Sequence, residues 1–528
     1  MKTQTALKSN FDCDTEPHNP TNPPRRQTFP IFATYLALSS LLLGTCLNAH
    51  ADAERELGEL LYRDKNLSIN RNQSCASCHS DQPSTRQIGG GTFSEATGFV
   101  DPENVVSNTP VSRGSVLGKT GGLNAPSAAY AAFSPIFHWN SDEELYVGGQ
   151  FWNGRAKDLQ SQAGGPFLNP GEMAIPNRWA FVERLQENPQ YQRLFNEVFG
   201  IDLEQIPNYQ SAASNAEPAG VAAVYDAAAQ AVSEYERSPR FNKFNSKFDF
   251  WLAGKTQLSS NELHGMNLFN NKAGCAACHT SESSGFDRQG HPVPPMFTDF
   301  TYDNIGLPRN TLIPGNPEPD LGLGGRADIA NAWPDGEQKG KHKVPTLRNI
   351  AVTAPYGHNG VFKTLEEVVH FYNTRDVLGE VESVTDTNFG ISGWPVPEVM
   401  ENVNHDELGN LGLTAEEESA VVAFMKTLTD DYSETGADDQ VPSGTASPFA
   451  LVEVPQIPTV LEMKVPGRVQ MTARLGKYYQ LEYSTNLSGG DNWQVLEMRR
   501  FSTNGVPFLD NDTAQSPIRL YRAAQLPQ

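Results

Sequence analysis

One short pattern is written twice in this chain. Residues 74–80 read SCASCHS and residues 274–280 read GCAACHT, two copies of C-x-x-C-H in one sequence. The pattern is the attachment signature of a c-type haem: two thiols add to the haem vinyl groups, and the adjoining imidazole is delivered beneath the iron. Cysteines in an exported chain also form disulfides, and paired C-x-x-C motifs also hold zinc. Here Cys75/Cys78 and Cys275/Cys278 stand far beyond the roughly 15 to 20 residue gap of common zinc modules, and each pair runs directly into a histidine, His79 or His279. The duplication therefore points to two covalently bound c-type haems and to a mainly α fold, two cytochrome c-type haem domains in tandem.

The flanks repeat as well. LGELLYRDKNLSINRNQSCASCH and ELHGMNLFNNKAGCAACH each place a glycine and an apolar pair on a helix leading into the motif. Ser259 with Glu262 forms a capping box that starts the second of these helices. Thr414 with Glu417 opens another, on which Ala420, Val421, Phe424, Met425 and Leu428 keep the helical period and close the second haem domain. The texture changes after Tyr432: DDYSETGADDQVPSGTASP is acidic and rich in Ser, Gly and Pro, the composition of a linker. Beyond it VQMTARL and YYQLEYS alternate apolar with polar residues, as half-buried strands do. The expected organisation is a leader at 1–51, an N-terminal haem domain at 52–254, a C-terminal haem domain at 255–432, a linker at 433–457 and a small all-β, sandwich-like domain at 458–528. A binding module and a stabilising cap are equally consistent with that last domain.

The chain has 528 residues, too many for one hydrophobic core, and its formal charge is −22, with 40 Lys and Arg against 62 Asp and Glu. That balance argues against nucleic acid and anionic membrane surfaces as partners. Arg25 and Arg26 precede an apolar run from Phe29 to Leu47, and AHA ends at Ala51 before DAERE, which reads as an export signal cleaved after Ala51. A membrane anchor is the alternative, since the run approaches the roughly 18 apolar residues of a spanning helix. Cleavage would remove Cys13 and Cys46 and leave a periplasmic or otherwise exported protein that does not span the membrane.

FWNGRAKDLQSQAGGPFLNPGEMA at 151–174 and KVPTLRNIAVTAPYGHNGVFKTLEEVVHFYN at 343–373, taken with the two haem motifs in this order, resemble the bacterial di-haem cytochrome c peroxidases and their MauG-type relatives. The resemblance spans Ala53 to Tyr432 and does not reach the β domain. It implies that the first haem is the peroxide site and that the second holds or relays an electron. It implies Glu172 and Gln162 as the distal carboxylate and amide, a pair suited to moving the proton of bound peroxide to the leaving oxygen. It places Trp152 between the haems. It makes Asn124, with the backbone carbonyls of Thr353 and Pro355, ligands of a Ca2+ ion, a hard cation that takes oxygen donors. The family usually has Arg before that asparagine; this chain has Leu123.

Two departures carry mechanistic weight. Peroxidases that need reductive activation place a histidine soon after the first motif, where it caps the iron, but no histidine occurs between His79 and His138. The first haem is therefore expected to be open, unless His138 folds back onto it. At the second haem the peroxidases carry methionine as sixth ligand. Here the matching position is Tyr372, as in the MauG-type branch, on a helix that Thr364 with Glu367 would cap; His370 falls on another face. An anionic phenolate favours ferric iron where a thioether favours ferrous, so the second haem would be a poor store for a reducing electron.

Three functions fit these residues: a peroxidase that reduces hydrogen peroxide with electrons from a small donor protein, a cytochrome c or a cupredoxin; a MauG-type oxidase that uses peroxide on an organic or protein substrate; and a pure electron-transfer cytochrome, against which Glu172 and Gln162 argue. The peroxidase ranks first because it needs no dedicated partner.

Overall fold

The computed structural model describes residues 52–82, 85–88, 91–94, 97–209, 216–287, 290–315, 318–432, 446–449, 454–455, 460–465, 468–473, 475–484, 493–501, 507–509 and 520–525. The leader expected at 1–51 and most of the linker at 433–457 lie outside the described residues. Among the described residues no helix is long and apolar enough to cross a membrane.

Each haem motif follows a helix that a glycine seats against the helix closing its lobe. In the first lobe the leading helix spans 52–63 and buries Leu57, Leu61 and Tyr62 completely, residues that share one helical face. Gly58 crosses the long helix Val221–Glu236 so closely that a Cβ would stand 2.0 Å from the Ala231 carbonyl oxygen. The second lobe repeats the device: Ser260–Asn270 meets Ala415–Lys426 at Gly265, where a Cβ would stand 1.8 Å from the Ala420 oxygen. Glycine inside a helix costs roughly 0.5–1 kcal/mol relative to alanine, and the close crossing it permits offsets that cost.

The caps are mostly as the sequence suggests. Ser259 and Glu262 exchange hydrogen bonds with each other's backbone N–H, and so do Thr414 and Glu417. At Leu365–Thr374 the cap is one-sided: Thr364 Oγ1 accepts from the Glu367 N–H at 3.1 Å, while the Glu367 carboxylate reaches past it to the Lys363 N–H at 2.5 Å.

Two large apolar cores result among the described residues, with a small third cluster of Tyr302, Leu323 and Ile329. The second begins at Phe248, inside the helix Lys247–Leu252. A buried polar clamp joins the lobes there. Arg348 and Asp249 are fully buried and paired by two hydrogen bonds of 3.0 Å. The Arg348 guanidinium also lies 4.6 Å from the Phe244 ring centroid and 5.0 Å from that of Tyr130. Asp430, near the end of the second lobe, accepts from the Tyr130 hydroxyl of the first at 2.8 Å.

The C-terminal strands form two antiparallel three-stranded sheets. In one, Arg468–Thr472 lies between Val460–Val465 and Pro507–Leu509; in the other, Tyr478–Ser484 lies between Gln494–Arg500 and Leu520–Gln525. The alternation in the sequence is used to dock them. Val469, Met471, Ala473, Leu475, Tyr479 and Leu481 are buried in the same core as the first haem lobe. Gln230 fastens the contact: its Nε2 donates to Glu54 Oε1 at 2.8 Å and its Oε1 accepts from the Leu475 N–H at 2.5 Å. The described linker residues are tied down as well, Ser447 Oγ to the Phe244 carbonyl at 2.7 Å and Arg237 Nε to that of Pro455 at 2.9 Å.

Candidate active site

The first motif lies beside a small cavity of about 30 Å3 whose wall includes Cys75, Cys78, His79, Gln162, Glu172 and Glu236. Gln162 stands on the helix Leu159–Ala163, started by Asp158, whose carboxylate accepts from the Ser161 N–H at 2.8 Å. Glu172 follows the helix Gly165–Leu168, and its Oε1 accepts from Asn169 Nδ2 at 2.7 Å, leaving the second oxygen for a bound molecule. Burial pushes the Glu172 carboxyl above its usual range, while the Arg155 guanidinium and the Asn169 amide oppose the shift. The structure thus gathers Gln162 and Glu172 at one cavity with His79.

Three neighbours escape a reading of the sequence. Arg155 lies over the Phe151 ring, 3.5 Å from its centroid, and supplies the cation nearest in effect to Glu172; its signal was the NGR within the quoted motif. Asn169 is the amide that holds Glu172. Glu236 is buried at the end of Val221–Glu236 with Oε2 lacking a hydrogen-bond partner, and burial pushes its carboxyl up to about 8, with Arg237 opposing.

The second motif opens on a larger cavity of about 270 Å3, lined by Cys275, Cys278, His279, Tyr372, Trp152 and His358 among others. His279 Nδ1 lies 2.9 Å from the Phe297 carbonyl, which holds the proton there and leaves Nε2 for a metal. Burial drives the Tyr372 phenol well above its usual value, with Cys278 and Cys275 adding to the shift, so the hydroxyl keeps its proton until a Lewis acid displaces it. His370 turns elsewhere, its Nδ1 3.0 Å from Glu418 on the closing helix. His358 stacks on His342 with ring centroids 3.6 Å apart; Asp320 lies 3.0 Å from His342 Nε2 and Glu398 lies 3.2 Å from His358 Nε2.

Trp152 lines the larger cavity. Its Nε1 donates to the Asn124 carbonyl at 2.9 Å, and the strip from Asn124 through Pro126 lines the larger cavity while the Pro126 backbone acts on the His79 imidazole. Asn124, Thr353 and Pro355 border that same cavity, and the Ala354–Pro355 peptide is cis. Asn124 Nδ2 donates to the Pro110 carbonyl at 3.0 Å, which leaves its amide oxygen as the group to offer a cation. His138 does not join the small cavity: it is exposed on a hairpin, with Nδ1 2.8 Å from the Ile136 carbonyl.

The donor set fits two c-type haems. All four cysteines are free rather than paired with each other, and burial pushes the thiols of Cys78, Cys275 and Cys278 up to about 12. Reduced, protonated thiols are the form that adds to a vinyl group. Each pair is followed by a half-buried imidazole, and His79 Nδ1 has no hydrogen-bond partner.

Comparison with known proteins agrees with this inventory. Residues 52–257 match the family model described as di-haem cytochrome c peroxidase. Methylamine utilization protein MauG of Paracoccus denitrificans (strain Pd 1222) is 37% identical over 385 residues, covering 72% of this chain and 89% of that protein. Cytochrome c551 peroxidase of Nitrosomonas europaea is 30% identical over 396 residues, 74% of this chain and 85% of that protein. Among solved structures, the diheme peroxidase BthA from Burkholderia thailandensis E264 superposes with a TM-score of 0.54 at 26% identity, covering 71% of this chain and 86% of that one.

Proposed function

The chain belongs to the di-haem cytochrome c peroxidase and MauG family, and from that premise we propose that it is an exported, periplasmic enzyme that reduces hydrogen peroxide with electrons from a small redox protein. The observation that carries this reading is the meeting of Gln162 and Glu172 with His79 at one cavity. When bound, the haems would supply the iron at which peroxide reacts and a path for the electrons. The protein's own work is proton handling. Glu172 takes a proton from hydrogen peroxide and returns it to the departing oxygen, and Gln162 holds the oxygens by hydrogen bonds. The balance is one H2O2, two electrons and two protons giving two waters.

Tyr372 is the residue read as the sixth ligand of the second iron, and Trp152 as the conductor between the sites. Asn124, with the carbonyls of Thr353 and Pro355, is read as a Ca2+ site that stiffens the wall between them. The two C-terminal sheets are read as a sandwich-like accessory domain that caps the first lobe.

Tyr372 and the likeness to MauG favour a second reading, peroxide-driven oxidation of an organic or protein substrate. Stoichiometry separates the two. Two equivalents of a reduced c-type cytochrome or cupredoxin oxidised per H2O2 support the peroxidase. Peroxide consumed with neither donor oxidised, and an organic or protein substrate oxidised in its place, transfers the assignment to the second reading.

A further inference from the structure

The hairpin that carries His138 holds a run of aromatic rings leading from the surface toward the larger cavity. Strands His138–Asn140 and Leu145–Val147 pair with Trp139 opposite Tyr146. The Trp139 ring lies 5.0 Å from that of Trp333 and 4.9 Å from that of Tyr146, and Trp333 Nε1 donates to the Tyr146 hydroxyl at 3.1 Å. Tyr146 stacks on Phe137 at 5.2 Å with planes 6° apart, and Phe137 meets Tyr302 edge-on at 6.0 Å. Tyr302 is buried, and its strand pairs with His342–Lys343. The Lys343 N–H donates to the Trp152 carbonyl at 2.8 Å, and His342, Lys343 and Trp152 all line the cavity.

Burial falls steadily outward along this run. Tyr302 is buried, Phe137, Tyr146, Trp139 and Trp333 are half-buried, and within five residues along the chain the outermost indoles are followed by the exposed carboxylates of Asp142, Glu143, Glu144, Asp335 and Glu337. Aromatic packing accounts for the inner rings. It does not call for two half-exposed indoles at the outer end inside an acidic rim. Indole and phenol are the uncharged side chains that give up one electron most readily, and here two indoles lead to two phenols, with Phe137 alone holding the phenols apart.

We propose that this run is where a protein electron donor delivers its electrons: a redox protein with a basic face docks at the Trp139–Trp333 rim and reduces the enzyme through Tyr146 and Tyr302. The inference rests on the peroxide-reducing reading above. Each H2O2 withdraws two electrons in succession; each leaves an oxidised indole at the rim that recovers one electron from one donor molecule, so no bond in the chain is made or broken. The acidic rim steers a basic partner and weakens in its effect as salt rises.

Peptide mapping by mass spectrometry tests the route without relying on turnover. Haem-loaded protein given excess H2O2 and no donor has nothing to refill the oxidised rings, so oxygen addition is expected at Trp139 and Trp333 and little at Trp179, a half-buried indole on the first lobe whose Nε1 donates to the Pro207 carbonyl at 2.7 Å. Tyr146→Phe should cut that addition severalfold. Equal addition at Trp179, or no change in Tyr146→Phe, overturns the route. In a second measurement, the rate at which a reduced basic cytochrome c is oxidised should fall about tenfold or more in the double variant Trp139→Phe, Trp333→Phe, and hold in Trp179→Phe. A rate undiminished in the double variant also overturns it. Wild-type oxidation of ferrocyanide by H2O2 tells the two failures apart: if that reaction is missing, the peroxide reading falls and the route with it; if it is present while the ring variants behave as wild type, the route alone falls.

Discussion

Glu172 and Glu236 line one cavity beside His79, the first hydrogen-bonded to Asn169 and the second with an oxygen that has no partner. Their surroundings separate their protonation. Burial pushes both carboxyls up, but at Glu172 Arg155 and Asn169 oppose the shift, whereas Glu236 is pushed up to about 8 against Arg237 alone. Carboxyls set apart in this way take different roles, which fits the proton-accepting role proposed for Glu172.

Replacing Glu172 with Gln keeps the shape and removes the carboxylate that takes up and returns the proton. The reaction of the oxidised protein with H2O2 is expected to slow about 100-fold or more, with haem content unchanged by pyridine haemochrome assay. Unaltered stopped-flow kinetics would remove Glu172 from the mechanism.

Glu236 should leave its mark on stability. An unfolded glutamate titrates near about 4.3, whereas the folded group holds its proton up to about 8. Between those values the native state binds a proton that the unfolded state has released. Stability therefore falls as pH rises through the window and levels off above it, by at most about 5 kcal/mol. Urea midpoints at pH 5 and pH 8.5 are expected to diverge less in Glu236→Gln than in the wild type. The same divergence in both would contradict the assignment.

Tyr372→Phe removes the hydroxyl from the larger cavity while keeping the ring that packs with Phe371. The expected outcome is a changed absorption and EPR spectrum of the second haem with that of the first preserved. An unchanged second-haem spectrum would exclude the phenol as a ligand.

Arg348→Met strands the Asp249 carboxylate inside the joint between the lobes, where both side chains are fully buried. Loss of one partner of such a pair costs about 3–5 kcal/mol, and replacing both by apolar groups recovers much of it. Thermal melts should show a large fall for Arg348→Met and partial recovery on adding Asp249→Leu. A melt unchanged in the single variant would deny the clamp its role.

The parts legible in the sequence were those with local causes. The haem motifs, the reciprocal caps at Ser259 and Thr414 and the alternation through Val469 and Leu481 depend on residues a few positions apart. Gly58 and Gly265 could be placed on helices, but the carbonyls of Ala231 and Ala420 that explain them lie far along the chain. Glu236 sits among Glu234 and Arg237 and looks like a solvated acid until the helix turns it inward. The docking of the β strands through Leu475 and Gln230 likewise joins residues with no shared local pattern. Of the two histidines whose positions were in question, His138 is drawn to the surface by its hairpin and His370 to the closing helix by Glu418.

The central claim is that the first haem site is open in the oxidised protein and reacts with peroxide unaided. EPR of the fully oxidised protein, before and after one equivalent of H2O2, tests it most directly. The account predicts a high-spin ferric signal beside a low-spin one, with the high-spin signal lost on adding peroxide. Two low-spin signals that peroxide leaves untouched until one electron is supplied would contradict it, and would place a capping ligand on the iron of His79.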